Sequence, residues 1–258
     1  MKNWKIMLCS GLVLCPLLLP AQEKTTSSGR IGFEFGSNAF FGETIVPERI
    51  RASKSVHYDD FCFSSPNPNQ VLENHYGGIK YESFFNNNHL GLTVGLRFSQ
   101  FSSKINTDWN HYYFVWLFRQ DETATDYLTI QNIKQKNNYL GVPLELRYLL
   151  RRWDSFFNPY FKFGAAVNYC LSTTNSIAFF DPEMSRYSGA VSEEIEKPNL
   201  VNAWVYPAFG FKFGRMNKVW FNMEVHFPGF LIGEKAHPFI RPDVGMGIQL
   251  SMQIPLNK

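Results

Sequence analysis

The sequence predicts an all-β protein, an eight-stranded antiparallel transmembrane β-barrel with long extracellular loops and short periplasmic turns. Three observations carry this. Eight segments alternate apolar and polar residues with a period of two, so each presents one aliphatic and one polar face. The connections between them alternate long and short. The polar faces collect the acids Glu34, Glu82, Glu145, Glu224 and Asp243 against the bases Lys80, Arg97, Arg147, Lys162 and Lys212. Alternation alone also suits a soluble sandwich with its aliphatic faces inside. A sandwich gives no reason for the charges to balance or for the loop lengths to alternate. A barrel turned inside out supplies both reasons, with aliphatic residues facing lipid and a charge network in the lumen, where an unpaired charge costs several kcal/mol.

The chain begins with Lys2 and Lys5, a largely apolar run from Ile6 to Leu19, and the small residue Ala21 ahead of a polar stretch. This is the layout of a secretory signal peptide over residues 1–21, cleaved near Ala21 or Gln22. Pro16, Pro20 and the shortness of the run argue against an anchor, and Leu14 stands where a lipobox around Cys15 needs a small residue. Elsewhere no apolar run reaches about 18 residues, so no helical span is expected. Residues 22–29 read as a short periplasmic tether and 30–258 as the barrel.

The first strand covers 31–37, with Ile31, Phe33 and Phe35 opposite Gly32, Glu34 and Gly36. A long loop, 38–74, follows. The second strand (75–85) sets Ile79, Tyr81 and Phe85 against Lys80 and Glu82, and a tight turn at 86–89 leads to the third (90–101), where Leu90, Leu92, Val94, Leu96 and Phe98 oppose Gly91, Thr93, Gly95, Arg97 and Ser99. The excursion 102–137 contains WNHYYFVWLF, of which Val115–Phe118 either extends a strand above the membrane or caps the barrel. The fourth strand is the clearest: in YLGVPLELRY, Leu140, Val142, Leu144, Leu146 and Tyr148 face one way, Tyr139, Gly141, Pro143, Glu145 and Arg147 the other. After a short turn through Arg151 and Trp153, the fifth strand carries Phe161, Phe163, Ala165, Val167 and Tyr169 against Lys162, Gly164, Ala166, Asn168 and Cys170. The loop 172–198 leads to strand six (199–213), the turn 214–217 to strand seven, with Glu224 and His226 inward, and a last loop to strand eight (243–256). An even strand number puts both termini on one side, the periplasmic one, in the outer membrane of a Gram-negative cell.

Some residues test the scheme. Pro143 and Pro207 sit inside strands of a barrel with no free edge, so a bulge or a place near the rim is expected at each. The aromatics Phe84, Phe85, Tyr148, Trp153, Phe156, Phe157, Phe213, Trp220 and Phe221 cluster near the short turns, as an interfacial girdle would. Once the signal is removed, Cys62 and Cys170 remain, and pairing and two free thiols stand equally.

The segments NNYLGVPLELRYLL, NPYFKFGAAVNY and PDVGMGIQLSMQIPL resemble the PorT-like family of small outer-membrane barrels. The resemblance covers residues 30–256 in layout and is sharpest at 138–150. It implies an eight-stranded barrel and a role beside a type IX protein secretion system, and it brings no catalytic motif.

A net charge of +3 without a polybasic run excludes nucleic acid as a partner. No cofactor or metal site is expected. His57, Asp59 and Asp60 match no recognised metal spacing. Glu224, His226 and Ser251 share a face and raise a lipid A hydrolase, but all three point to the lumen while such a site must open to lipid. A porin is disfavoured because eight strands leave an interior that side chains fill, here with the charges plus Trp204, Tyr206 and Trp220. The expected protein is a non-enzymatic barrel whose partners are outer-membrane lipid and the outer-membrane or periplasmic proteins of a secretion complex. The alternative is a stand-alone surface-binding barrel acting through the loops 38–74 and 102–137.

Overall fold

The computed structural model describes residues 29–45, 50–52, 71–85, 89–106, 113–118, 125–152, 154–215, 217–233 and 237–256. The signal segment, residues 22–28 of the tether, His57, Asp59, Asp60, Cys62 and Trp153 lie outside them. The strands are β1 (Gly29–Thr44), β2 (Ile50–Ala52), β3 (Val71–Phe85), β4 (Leu90–Asn106), β5 (Tyr113–Phe118), β6 (Thr125–Leu149), β7 (Phe157–Phe179), β8 (Val201–Phe213), β9 (Trp220–Ile232) and β10 (Ile240–Pro255). A 3-10 turn (Pro182–Tyr187) and a short helix α1 (Ser188–Glu194) stand between β7 and β8.

Eight of these strands close a ring, β6-β4-β3-β1-β10-β9-β8-β7 and back to β6, every pair antiparallel. The protein is therefore an eight-stranded antiparallel transmembrane β-barrel. The first strand closes the ring against the last, from Arg30↔Pro255 to Thr44↔Ile240, and the longest ladder joins β6 to β7, from Leu149↔Tyr160 to Ile130↔Phe179. β5 lies along β6 where β4 leaves off, since Asn106 faces Asn132 and Tyr113 faces Ile130, and β2 adds to β5. Val115–Phe118 thus belongs to a strand extension.

Why the chain closes this way follows from burial. Leu140, Val142, Leu144, Leu146 and Tyr148 are exposed on the outside, while Tyr139, Glu145, Arg147 and Leu149 are buried inside. The inversion of the usual rule stabilises the fold only in lipid, where a closed ring of ladders leaves no open sheet edge.

Inward parity flips at bulges, and one of them corrects the sequence reading. The β1–β10 register shifts between Phe41 and Gly42, leaving Asp243 as the extra residue between Val244 and Pro242. Gly245 and Gln249 face inward below it, whereas Ile240 is buried above it and Asp243 is exposed. Asp243 therefore does not belong to the lumen charge set. Pro207 lies at a register shift between Val205 and Ala208 against β9. Pro143 does not sit at a bulge: its ladder with β7 is continuous, and pairing with β4 lapses only between Val94↔Leu144 and Arg97↔Gly141, in constant register. A lapsed pair is enough to accommodate the missing N–H.

The strands also run further than the alternation suggested. β1 reaches Thr44, β4 reaches Asn106, β6 starts at Thr125 and β7 ends at Phe179. Among the girdle aromatics, Phe84 and Trp220 are buried inside the barrel, whereas Phe85, Tyr148, Phe156, Phe157, Phe213 and Phe221 stand outside near the short turns.

Candidate functional site

The interior is filled in layers, starting at the end where the short turns lie. Phe84, Leu149, Tyr160 and Trp220 form a buried cluster there. The Arg30 guanidinium stacks 3.7 Å over the Trp220 ring and Lys212 Nζ sits 4.3 Å from its centroid. Arg30 also donates to the Lys218 carbonyl, and Lys212 donates to the Ser155 carbonyl at 2.7 Å, so both cations tie the interior to the turns. Arg30, just ahead of the first strand read at 31–37 and absent from the expected lumen charges, shares the inward parity of Glu34.

Above this cluster lies the charge layer. Arg97 Nε donates to Glu34 Oε1 at 2.6 Å and its terminal nitrogen to Glu145 Oε1 at 3.2 Å. Lys80 Nζ is 3.5 Å from Glu34 and 3.7 Å from Glu145. Lys162 is 3.1 Å from Glu145 and also pairs with Glu224, while Arg147 bridges Glu82 at 3.3 Å and Glu224 at 3.5 Å. Tyrosines complete the carboxylate shells: Tyr206 donates to Glu145 at 2.6 Å and Tyr160 to Glu224 at 2.7 Å. Gln249 donates to Glu224 at 3.2 Å, and Gln253 donates to Glu82.

Four carboxylates, Glu34, Glu82, Glu145 and Glu224, thus meet four cations, Lys80, Arg97, Arg147 and Lys162. Lys212 sits below them in the aromatic cluster. Tyr76, Tyr160, Gln249 and Gln253 are partners the sequence reading did not place in the network. Gln249 and Gln253 stand on the polar face that alternation gives the last strand, and Tyr76 and Tyr160 share the parity of Lys80 and Lys162. Each of the four cations thus lies within 4 Å of a carboxylate, the pairing that makes burial of these charges tolerable.

A third layer, with Phe40, Phe101, Tyr139, Trp204, Tyr206 and Ile240, closes over the charges. Phe40 meets Trp204 edge-on with ring centroids 4.7 Å apart. Four of the interior rings fit because they face a glycine: Gly164 pairs with Tyr206, Gly210 with Tyr160, Gly36 with Tyr76 and Gly245 with Phe40. A Cβ on Gly164 would stand 2.6 Å from Tyr206 Cζ, so a ring lying over a bare backbone here excludes any side chain. Lys80, Glu145, Arg147 and Lys162 are at most 3% exposed, which means no water-filled passage runs through their layer.

The barrel continues well beyond its aliphatic band. β6 has 25 residues and β7 has 23, where a tilted span needs about 9–11. Outward polarity changes at a ladder of side chains, Gln100 to Asn138 at 3.0 Å and Asn138 to Ser172 at 3.0 Å, which crosses β4, β6 and β7 just past Leu140. Beyond it the projecting wall has its own core of Ile105, Leu128, Ile130, Ile133 and Phe239, into which Val191 of α1 and Ile195 insert. Gln135 donates to Asn175, and Asn175 to the Ser192 hydroxyl at 2.9 Å, fastening α1 to the wall. His237 is buried there, with Ser103 Oγ 3.0 Å from its Nδ1, and burial lowers its imidazole from 6.5 to about 3.

The hydrolase alternative finds no geometry. His226 Nδ1 pairs with Asn38 Oδ1 at 2.9 Å and its Nε2 lies 3.9 Å from Glu224, but Ser251 hydrogen-bonds Asn222, four positions along β9 from His226 and about 13 Å away. Cys170 forms no disulfide among the described residues, and its pairing with Cys62 falls outside them. Among the described residues no cluster of His, Cys, Asp and Glu is arranged to hold a metal.

No family model matches the chain and no curated protein does, so the PorT-like resemblance stands on its three segments alone. Among solved structures the chain is similar to the outer membrane protein OprG from Pseudomonas aeruginosa, at 14% identity over 89% of this chain and 94% of that one, with a TM-score of 0.35. It is also similar to Ail, the attachment invasion locus protein of Yersinia pestis, solved with the heparin analogue sucrose octasulfate, at 8% identity over 89% and 99%, with a TM-score of 0.29. At these scores the fold rests on the strand register.

Proposed function

We propose that the protein is a non-conducting, non-enzymatic barrel of the outer membrane whose projecting, long-loop end is a docking platform for another protein. The observation that carries this is the projection itself. Strands of this length are unnecessary for crossing a bilayer, yet beyond the polar ladder they keep a dedicated apolar core and a fastened helix. A rigid, built surface above a sealed lumen suits binding rather than transport.

In this reading the long loops face outward and both termini face the periplasm, residues 1–21 being removed on export. The lumen charge network of Glu34, Lys80, Glu82, Arg97, Glu145, Arg147, Lys162 and Glu224, with Lys212 beneath it, is a structural plug. Membership of a secretion or assembly complex, type IX-like by the PorT-like resemblance, names one kind of partner for this platform.

The test is crosslinking in intact membranes followed by electrophoresis of boiled and unboiled samples. The expected result is heat-modifiable migration with a discrete crosslinked protein, lost when the projecting part of the β5–β6 hairpin is shortened. A heat-modifiable monomer without crosslinks would refute the platform. Recovery in the soluble fraction would refute the membrane barrel.

A further inference from the structure

The outer wall carries a groove that the sealed lumen does not explain. Register places Phe33, Met252 and Phe221 in one cross-strand row and Phe35, Leu250 and Met223 in the next. Phe33 and Phe35 of β1 line one side and Phe221 and Met223 of β9 the other, with Leu250 and Met252 of β10 as the floor between them. The hollow has a volume of about 470 Å³. Walls two strands apart are separated by about 9.6 Å, which admits a single hydrocarbon chain between side chains.

A second hollow of about 410 Å³ adjoins it at the short-turn end, since Phe213 and Phe221 line both, and it opens at Arg215 and Lys218. The turn bearing these cations is held from inside the barrel. The Trp220 indole N–H donates to the Arg215 carbonyl at 2.9 Å, the Arg30 guanidinium donates to the Lys218 carbonyl, and Lys218 N–H donates to the Arg215 carbonyl at 3.0 Å. Gly214 enters the turn at φ +135°, where a Cβ would stand 2.4 Å from the Val219 carbonyl oxygen. Interior groups thus fix the turn backbone while both cationic side chains remain exposed at the mouth of an apolar groove.

We propose that this groove binds an anionic glycerophospholipid, with one acyl chain along β10 and the phosphate diester between Arg215 and Lys218. The apolar walls and the cationic mouth are complementary to the two halves of that molecule, in the order in which a leaflet presents them. Two cations at an interface favour a lipid of net negative charge over a zwitterionic one, whose ammonium offsets the phosphate. The inference rests on the membrane barrel reading but not on which leaflet the short turns face.

The experiment is native mass spectrometry of the full-length barrel released from nanodiscs containing equal phosphatidylglycerol and phosphatidylcholine. The expected result is several-fold enrichment of phosphatidylglycerol on the wild type, abolished in R215Q/K218Q. Met252→Trp, which fills the floor, is expected to reduce retention of both lipids, and Leu250→Phe is the milder filler if that variant does not fold. Equal retention of the two lipids by the wild type overturns the proposal, as does enrichment that survives R215Q/K218Q. Displacement of the lipid by inorganic phosphate also overturns it, because a bare anion site needs no chain. Failure to enter nanodiscs would instead remove the membrane barrel reading on which the proposal stands.

Discussion

Glu145 is where the sealed lumen can be tested with a single atom change. It receives Tyr206, Lys162 and Arg97 at 2.6, 3.1 and 3.2 Å, and Lys80 lies 3.7 Å away, all in a layer closed to water. Glu145→Gln keeps the shape and an acceptor for Tyr206, but leaves three carboxylates against four cations. Removing one partner of a buried ion pair costs about 3–5 kcal/mol, because the remaining charge stays desolvated. With a urea dependence of about 2 kcal/mol/M, the unfolding midpoint in detergent should fall by about 1.5–2.5 M. The double variant E145Q/K162M restores the balance at three against three, and Glu224 keeps Arg147, Tyr160 and Gln249. Its loss should therefore fall short of the sum of the two single losses by about 1–3 kcal/mol, the coupling expected of directly paired groups. A shift of under about 1 kcal/mol for E145Q, the size of an exposed pair, would refute the reasoning by showing that water reaches the layer. Strict additivity of the two substitutions would refute the charge balance.

Three further outcomes are expected. Purified protein in planar bilayers should show no conductance steps, and any stable open level would contradict the side-chain plug. Gly164→Ala should lower stability by about 1–3 kcal/mol, because its methyl would occupy the place of the Tyr206 ring and pull the hydroxyl from Glu145; a neutral substitution by chemical denaturation would show that the ring has room to move. His237 is held at about 3 when buried and returns to 6.5 when the projecting end opens, so opening takes up a proton. Stability of that end is then fully present above about pH 6.5 and falls by about 1.4 kcal/mol per unit as pH drops toward 3. Hydrogen exchange around Ser103 should accelerate across this window in the wild type and stay level in His237→Asn.

The transmembrane part was legible because alternation persists for ten residues or so in β4, β6 and β10, and because lipid demands a sharp contrast between the faces. Where the contrast fades, so did the reading. Past Asn138 the outer face turns to Lys136 and Lys134, and β4 past Phe98 turns to Gln100 and Lys104, so both faces look polar and the strand reads as loop. Asp243 went astray because a single extra residue reverses parity, and nothing in PDVGMG marks where the bulge falls. Arg30 was missed because it preceded the first clear apolar alternation, although it stands at the parity of Glu34. Which acid meets which base was not legible at all, since that depends on how the strands are staggered around the ring. The layered interior has the same origin: Tyr206 over Gly164 and Tyr160 over Gly210 are neighbours only through register.

The most direct measurement is a cysteine scan of 130–148 in a Cys-free background, each site carrying a fluorophore and reconstituted with brominated phospholipid. The expected result is quenching at 140, 142, 144 and 146, none at the intervening positions, and no lipid quenching at 130–136, where the wall projects into water. Uniform quenching, no quenching, or quenching by an aqueous agent at 144 would contradict a barrel that faces lipid with its aliphatic residues and seals a charged lumen behind them.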